Sequence, residues 1–223
     1  MKLAIILAEF GRPAPDVSQY RKCWPEADIQ VRLGDKDNWI VPELEPTHPR
    51  YGWRWNDYFK VKMMLESGAD IAMCFDSDMR IVDFNGARTL PLLAERFGLC
   101  LPINPRYTVW RDFCDGADTG NFRQDIKTGP GVNCSPIAID LRRKLWSSEL
   151  GTRCAEAYCQ VMLETPMRGP LAWCESMWSI GYSPLILPPQ FCVCERHIGV
   201  GDEIILHTGH AAVERHYAKM EAK

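Results

Sequence analysis

No stretch of this sequence approaches the roughly 18 consecutive apolar residues that a membrane-spanning helix requires, so nothing in it reads as a span. Charge of one sign is also missing: 26 Lys and Arg face 29 Asp and Glu, a net of −3 over 223 residues. A dedicated nucleic-acid binder would show a basic excess. Ten cysteines are present, but no C-x-x-C and no spacing of the zinc-ribbon or zinc-finger kind, which excludes the common structural zinc modules. Internal repeats, low-complexity tracts and linkers are absent, so a single domain over residues 1–223 is expected. The opening MKLAIILAEF imitates a signal peptide, yet it is short, Glu9 interrupts it, and no small-residue cleavage site follows. A cytoplasmic protein with mostly reduced thiols is expected. Cys74 and Cys100, set in apolar runs, are then small buried hydrophobes.

What is present is an alternation of apolar runs and helix-period segments. Residues 3–8 form a continuous apolar run ended by a Gly/Pro loop, and 29–33 a shorter one closed by Gly34-Asp35. In WRWNDYFKVKMMLESG, Trp55, Tyr58, Phe59 and Met63 share one helix face, with Asn56 or Asp57 as a possible cap. DIAMCF follows as a third strand, 85–97 as a helix, and 99–103 as a fourth strand. Residues 104–131 are a long Pro-, Gly- and Asp-rich excursion of the kind that carries function. Beyond it come a strand over 132–139, a helical stretch over 140–164 with an irregularity at Gly151, a helix over 170–180, strands over 183–187 and 203–206, and a polar tail helix over 211–223. Strand–helix alternation predicts an α/β fold with a mostly parallel central sheet flanked by helices. Ligands in such sheets bind at the carboxyl ends of strands, here the loops after Ala8, Leu33, Phe75 and Leu206.

One of those loops is Asp76-Ser77-Asp78. Residues i and i+2 leaving a strand point the same way, so the two carboxylates converge. Held together they repel and lose hydration, and a divalent cation relieves both costs. Hard oxygen donors suit magnesium or manganese, and a diphosphate would complete the coordination. The bland alternative is a polar turn facing water, made less attractive by the apolar strand in front of it and the helix before that.

FKVKMMLESGADIAMCFDSDMRIV resembles the central segment of GT-A glycosyltransferases, where a helix bearing a basic residue precedes a strand, a D-x-D and an apolar pair. Lys60 matches the basic residue that glycogenin-like families turn toward the donor; Lys62, on the apolar face by its spacing from Trp55, competes for that assignment. GPGVNCSPIAIDL is similar to the strand lining the sugar and acceptor pocket. LAWCESMWSIGYSPLILPPQF resembles the helix with an Asp-Gln pair, followed by an apolar strand and a Leu-Pro turn; Glu175-Ser176 stands at the pair's position. IILHTGH resembles the late strand whose His is the third metal ligand. His207 fits that place, but the usual His-x-x-Gly is shortened to His-x-Gly and the following Lys is missing, so His210 competes. The resemblance runs over residues 1–210.

It implies a single Rossmann-like nucleotide-diphospho-sugar transferase domain that moves a sugar from a nucleotide-sugar, a UDP-sugar before others, to an acceptor hydroxyl. The acceptor, whether glycan, protein, lipid or modified nucleic acid, is left open. Asp76, Asp78 and His207 would hold the cation, manganese rather than magnesium once an imidazole is included, with Asp78 also catalytic. Lys60 and Arg12 would neutralise diphosphate, Phe10 would pack on the base, Asp35 would read base or ribose, and Asp76 with Ser77 would touch the donor. Glu175 would be a general base or a sugar contact. Of Trp53, Trp55, Trp110, Trp146, Trp173 and Trp178, most are expected in the core, with Trp110 the candidate for an exposed acceptor contact. Arg142-Arg143-Lys144 reads as a solvated helix face.

Rival readings remain. An apolar strand followed by D-x-D also opens haloacid dehalogenase-type phosphatases, with Asp76 as nucleophile, but the usual Thr after the motif is missing and two strands precede it. A nucleotidyltransferase would want a Gly-rich loop after the first strand, which EFGRPAP does not supply. A non-catalytic nucleotide- or carbohydrate-binding domain is the third.

Overall fold

The computed structural model describes residues 1–44, 48, 50–104, 131–194 and 197–221. Six strands form the central sheet: β1 (Leu3–Phe10), β2 (Asp28–Gly34), β3 (Ile71–Phe75), β5 (Leu99–Pro102), β6 (Ile137–Asp140) and β7 (Leu185–Leu187), in the order β2-β1-β3-β6-β5-β7. β1 pairs in parallel with both β2 and β3, and β5 with β7, whereas β6 is antiparallel to its neighbours β3 and β5. Two short strands, β4 (Met79–Ile81) and β8 (Ile205–His207), make a separate antiparallel ribbon.

Helices cover both faces of the sheet, which is why β3 is apolar throughout and β1 is apolar from Leu3 to Ala8. Ala4, Ile6, Ala8, Ala72 and Cys74 belong to one core cluster, together with residues of α2 (Tyr51–Glu66), α5 (Trp146–Glu164) and α6 (Gly169–Ile180). Ile5, Leu7, Ile71, Met73 and Phe75, the alternating set, belong to the other, with α1 (Ser18–Cys23), α3 (Phe84–Ala87) and α4 (Leu90–Phe97). A terminal helix, α7 (Ala211–Glu221), follows β8. Among the described residues no helix is long and apolar enough to cross a membrane.

The expected α/β architecture is found, with local differences. The helix foreseen over 85–97 is two: Asp83 caps α3 by accepting from the Asn85 N–H (2.9 Å), and α4 restarts with Pro91 in its first turn, where a missing N–H costs nothing. Gly151 does not interrupt α5. A Cβ there would lie 3.0 Å from the Leu99 Cβ, so the glycine allows the helix to approach β5. α2 begins at Tyr51, which puts Asn56 and Asp57 inside the helix rather than at its cap. The strand expected over 132–139 is regular only from Ile137, and it runs on to Asp140; Val132 instead bridges Ile103. Arg142 and Arg143 precede α5 and are engaged, with Asp140 and Glu95 and with Glu149 and Glu156 respectively. Trp55 and Trp173 are buried, but Trp53, Trp146 and Trp178 are more than half exposed: Trp146 opens α5 and Trp53 lies in the first turn of α2, flanked by Arg50 and Arg168. Trp110, like most of the 104–131 excursion, lies outside the described residues. The chain leaves for that excursion and returns from it at one place, since the Asn104 N–H donates to the Gly131 carbonyl (2.8 Å) and the Asn133 N–H to Pro102 (2.9 Å).

Candidate metal and donor site

β1, β2 and β3 all end at the same edge of the sheet. β6 runs the other way, so its approach segment, Asn133–Pro136, arrives at the edge where β3 finishes. Asp76 is therefore fixed at once: its backbone N–H donates to Ser135 Oγ (2.7 Å). Asp78, two residues on, directly precedes β4, which pairs with β8 so that Met79 faces His207. The Thr208 N–H and hydroxyl both donate to the Asp78 carbonyl (2.8 and 2.5 Å).

This pairing brings His207 Nε2 to 3.1 Å from Asp78 Oδ1 and 3.5 Å from Asp76 Oδ2. One donor atom from each residue lies within 4.8 Å of the others. Gly209 completes the fit: a Cβ at that position would stand 1.9 Å from Asp78 Oδ2, so only glycine leaves the carboxylate where it is. Two carboxylates and an imidazole at this separation suit a divalent cation of the manganese or magnesium kind. His210 packs edge-on against the His207 ring, at 4.7 Å between centroids, and its own ring is not part of this cluster.

His207 and Asp78 act on each other's proton affinities. Burial pushes the Asp78 carboxyl up, but the hydrogen bond and charge of His207 outweigh it, and the group sits below its ordinary range. His207 shows the converse: burial pushes it down, and Asp78, with the Cys192 side chain and Asp76, carries it well above the usual imidazole range. Behind Asp76 stands Lys60, 1% exposed, paired with Asp76 Oδ1 and, at 3.3 Å, with Asp57 Oδ1. Burial lowers its proton affinity, yet the two carboxylates reverse this and keep it charged. Asp57 is raised, by burial first and against Lys60. A buried cation is tolerated only when paired, and here the pairing aims it at the aspartate that ends β3.

The structure thus gathers Lys60, Asp76, Asp78 and His207, with Ser77 half-buried in the turn between the aspartates. Lys62 lies elsewhere, pairing with Glu66 (2.8 Å) on the outer side of α2. The remaining candidates are arranged separately. Phe10 ends β1 in an aromatic cluster with Trp39, Tyr51 and Trp55, at 5.5–5.6 Å between ring centroids. Asp35 accepts from the Asn38 backbone and side chain (2.8 and 3.1 Å), a local turn contact. Arg12 is exposed. Glu175 is half-buried on α6, and its Oε2 has no hydrogen-bond partner among the described residues. Sequence reasoning missed Ser135 and the pairing of Asp57 with Lys60, whose signal was their i,i+3 spacing; Gly209 was seen only as the glycine of the shortened His-x-Gly.

No protein-family model and no curated protein matches this sequence. Solved structures do. A glycosyltransferase involved in glycosylation of the major capsid of PBCV-1 aligns over 99% of this chain and 100% of its own, with a TM-score of 0.53 at 10% identity. Mouse xyloside xylosyltransferase 1, in its apo form, aligns over 93% of this chain and 97% of its own, with a TM-score of 0.46 at 10% identity. The chain has the fold of the first of these, the GT-A type of α/β fold that the D-x-D resemblance implied.

Proposed function

We propose that this chain is a metal-dependent glycosyltransferase that takes a sugar from a nucleotide-sugar and passes it to an acceptor hydroxyl. The observation that carries the reading is the convergence of Asp76, Asp78 and His207 at the carboxyl end of β3, backed by the buried Lys60, on a fold shared with a glycosyltransferase. Asp76, Asp78 and His207 Nε2 would hold the cation, manganese in preference to magnesium because one donor is nitrogen. When bound, such an ion supplies charge stabilisation to a diphosphate leaving group.

The chain's own residues do the rest. Lys60 holds Asp76 in place through an ion pair and adds positive charge behind the site. Arg12, exposed after β1, meets phosphate, and Ser77 donates to the donor from the turn. The aromatic cluster around Phe10 forms the floor on which a base rests, and Asp35 lies at the end of β2 for the ribose or base. UDP is the first nucleotide to try. Glu175 serves the acceptor side, where a carboxylate oxygen with no hydrogen-bond partner among the described residues accepts a hydroxyl proton. The phosphatase reading draws no support from the fold, and a decayed binding domain would not need to retain three donors and a glycine shaped around one of them.

The test is thermal stabilisation against UDP-, GDP-, CDP- and dTDP-sugars, each with manganese, magnesium or EDTA. A ligand at about 100 times its dissociation constant adds roughly 2.7 kcal/mol to a protein that binds it only when folded. Stabilisation by one nucleotide class that vanishes in EDTA is expected. No response to any donor, with or without metal, would overturn the proposal.

A further inference from the structure

His207 has two ring nitrogens, and only Nε2 faces the aspartates. On its other side are two thiols. Cys192, Val193 and Cys194 run beside β8, held by the Val193 N–H to the Ile205 carbonyl and the His207 N–H to the Val193 carbonyl (both 2.9 Å). In an extended segment i and i+2 share a side. Val193 accordingly packs with Leu206 and Val213, while Cys192 and Cys194 turn together to the opposite side with Ile205. The two sulfurs are 3.5 Å apart, Cys194 Sγ is 3.8 Å from His207 Nδ1, and one donor atom from each of the three residues lies within 4.8 Å of the others. Both cysteines are essentially inaccessible, at 1% and 0%. The Asn133 amide reaches Cys192 Sγ at 3.4 Å.

We propose that Cys192, Cys194 and His207 Nδ1 form a second cation site, selective for a thiophilic ion of the zinc class, set back to back with the carboxylate site on one imidazole. The donor chemistry separates the two: sulfur and imidazole select zinc or cadmium, carboxylates select magnesium or manganese. Zinc bonds of about 2.3 Å to sulfur and 2.0–2.1 Å to nitrogen, in tetrahedral array, hold neighbouring donors roughly 3.5–3.8 Å apart. The thiol–thiol and thiol–imidazole contacts already have that spacing. Three protein donors would leave one of the four tetrahedral positions open.

Sharing His207 makes the sites antagonistic. A neutral imidazole has one lone pair, with a proton on its other nitrogen. When Nδ1 binds the thiophilic ion, Nε2 carries the proton and donates it to Asp78, and the carboxylate site loses its nitrogen ligand. By linkage the effect is reciprocal. This antagonism rests on the role proposed above for His207 at the carboxylate site; the thiol site does not.

The experiment is cadmium binding to the fully reduced chain, followed by thiolate-to-cadmium charge-transfer absorption in the ultraviolet and by 113Cd NMR. One ion per chain is expected, with a resonance typical of two sulfurs and a nitrogen. C192S and C194S should each remove most of the absorption, and the D76N/D78N double variant should keep it. An oxygen-only resonance from the wild-type chain, or absorption that survives C192S/C194S, would overturn the site; the NMR arm needs no variant and so does not depend on one folding. For the linkage, one equivalent of zinc should weaken manganese binding, read by EPR, by at least ~10-fold in the wild type and leave it unchanged in C192S/C194S. Unchanged manganese binding in the zinc-loaded wild type would overturn the antagonism. Neither readout involves a nucleotide-sugar, so failure here is distinct from failure of the transferase reading.

Discussion

The two sides of the carboxylate cluster are built from unlike material. Asp76 ends an interior strand bonded on both sides, with all five preceding residues buried, and is clamped by Ser135 and Lys60. His207 ends a three-residue strand paired only within a small ribbon, and it is positioned largely by its own N–H to the Val193 carbonyl and by the bonds of the next residue, Thr208, to the Asp78 carbonyl. One side is a wall anchored in the core; the other is set by close fit to that wall. Damage to the first is expected to register in fold stability and chemistry together, and damage to the second mainly in the site.

The sharpest division should come from Asp78→Asn. It keeps shape and removes charge, so transfer and metal-dependent stabilisation should fall by ~100-fold or more, since even residues beside a metal ligand cost 10–100-fold, while the metal-free melting temperature moves little. Unchanged transfer would remove Asp78 from the mechanism. Lys60→Met attacks the wall. It strands the buried Asp57 and should destabilise the fold by about 3 kcal/mol in urea titrations at neutral pH; because Asp57 is already raised, the deficit should shrink as pH falls and the carboxyl protonates. A loss as large at pH 4 as at pH 7 would argue against a charge effect. Gly209→Ala attacks the fit. The clash with Asp78 should cost about 1–3 kcal/mol, with a larger proportional loss of manganese affinity, read by EPR. Wild-type manganese affinity in this variant would mean that the ribbon yields.

The smallest effect is in pH. Asp78 sits below its ordinary 3.8, so its share of stability is present above that value and lost as pH falls through the lower folded value. His207 sits above its ordinary 6.5, so its share is complete below that value and lost as pH climbs through the folded one. Without metal, the melting temperature should be highest between about pH 4 and 6.5 and decline above that range. Manganese should offset the decline, because a cation on Nε2 requires the deprotonated ring. A flat profile in EDTA from pH 6 to 9 would show that the His207–Asp78 pair contributes nothing.

The same contrast accounts for what could be read from the sequence. The wall was legible because five apolar residues followed at once by two carboxylates is a pattern with a physical reason, and Lys60 came with it. Its rivalry with Lys62 could not be settled, because α2 has no single apolar stripe: Trp55, Tyr58, Phe59, Lys60, Val61 and Met64 are all buried; its start at Tyr51 also turns Asp57 from a cap into a partner. The ribbon was hardly legible: β4 and β8 have three residues each and meet across more than a hundred positions of chain. His207 was singled out for its place late in the order of motifs, and its contacts follow from that long-range pairing. Gly209 read as a disturbed motif spacing, whereas its meaning lies in the 1.9 Å that a methyl group would violate. Glu175 lies on a helix apolar on most sides, so no periodicity announces its direction.

The hydrogen bond from Asn104 to Gly131 closes a loop whose two feet stand side by side on the sheet. The entropy of closing such a loop grows only with the logarithm of its length, about 0.6 kcal/mol for each doubling. The scaffold is therefore nearly indifferent to how many residues are spliced between those feet, and a segment transplanted there from another protein would be held at the same two points, where the chain leaves β5 and returns towards β6, without the sheet having to be redesigned.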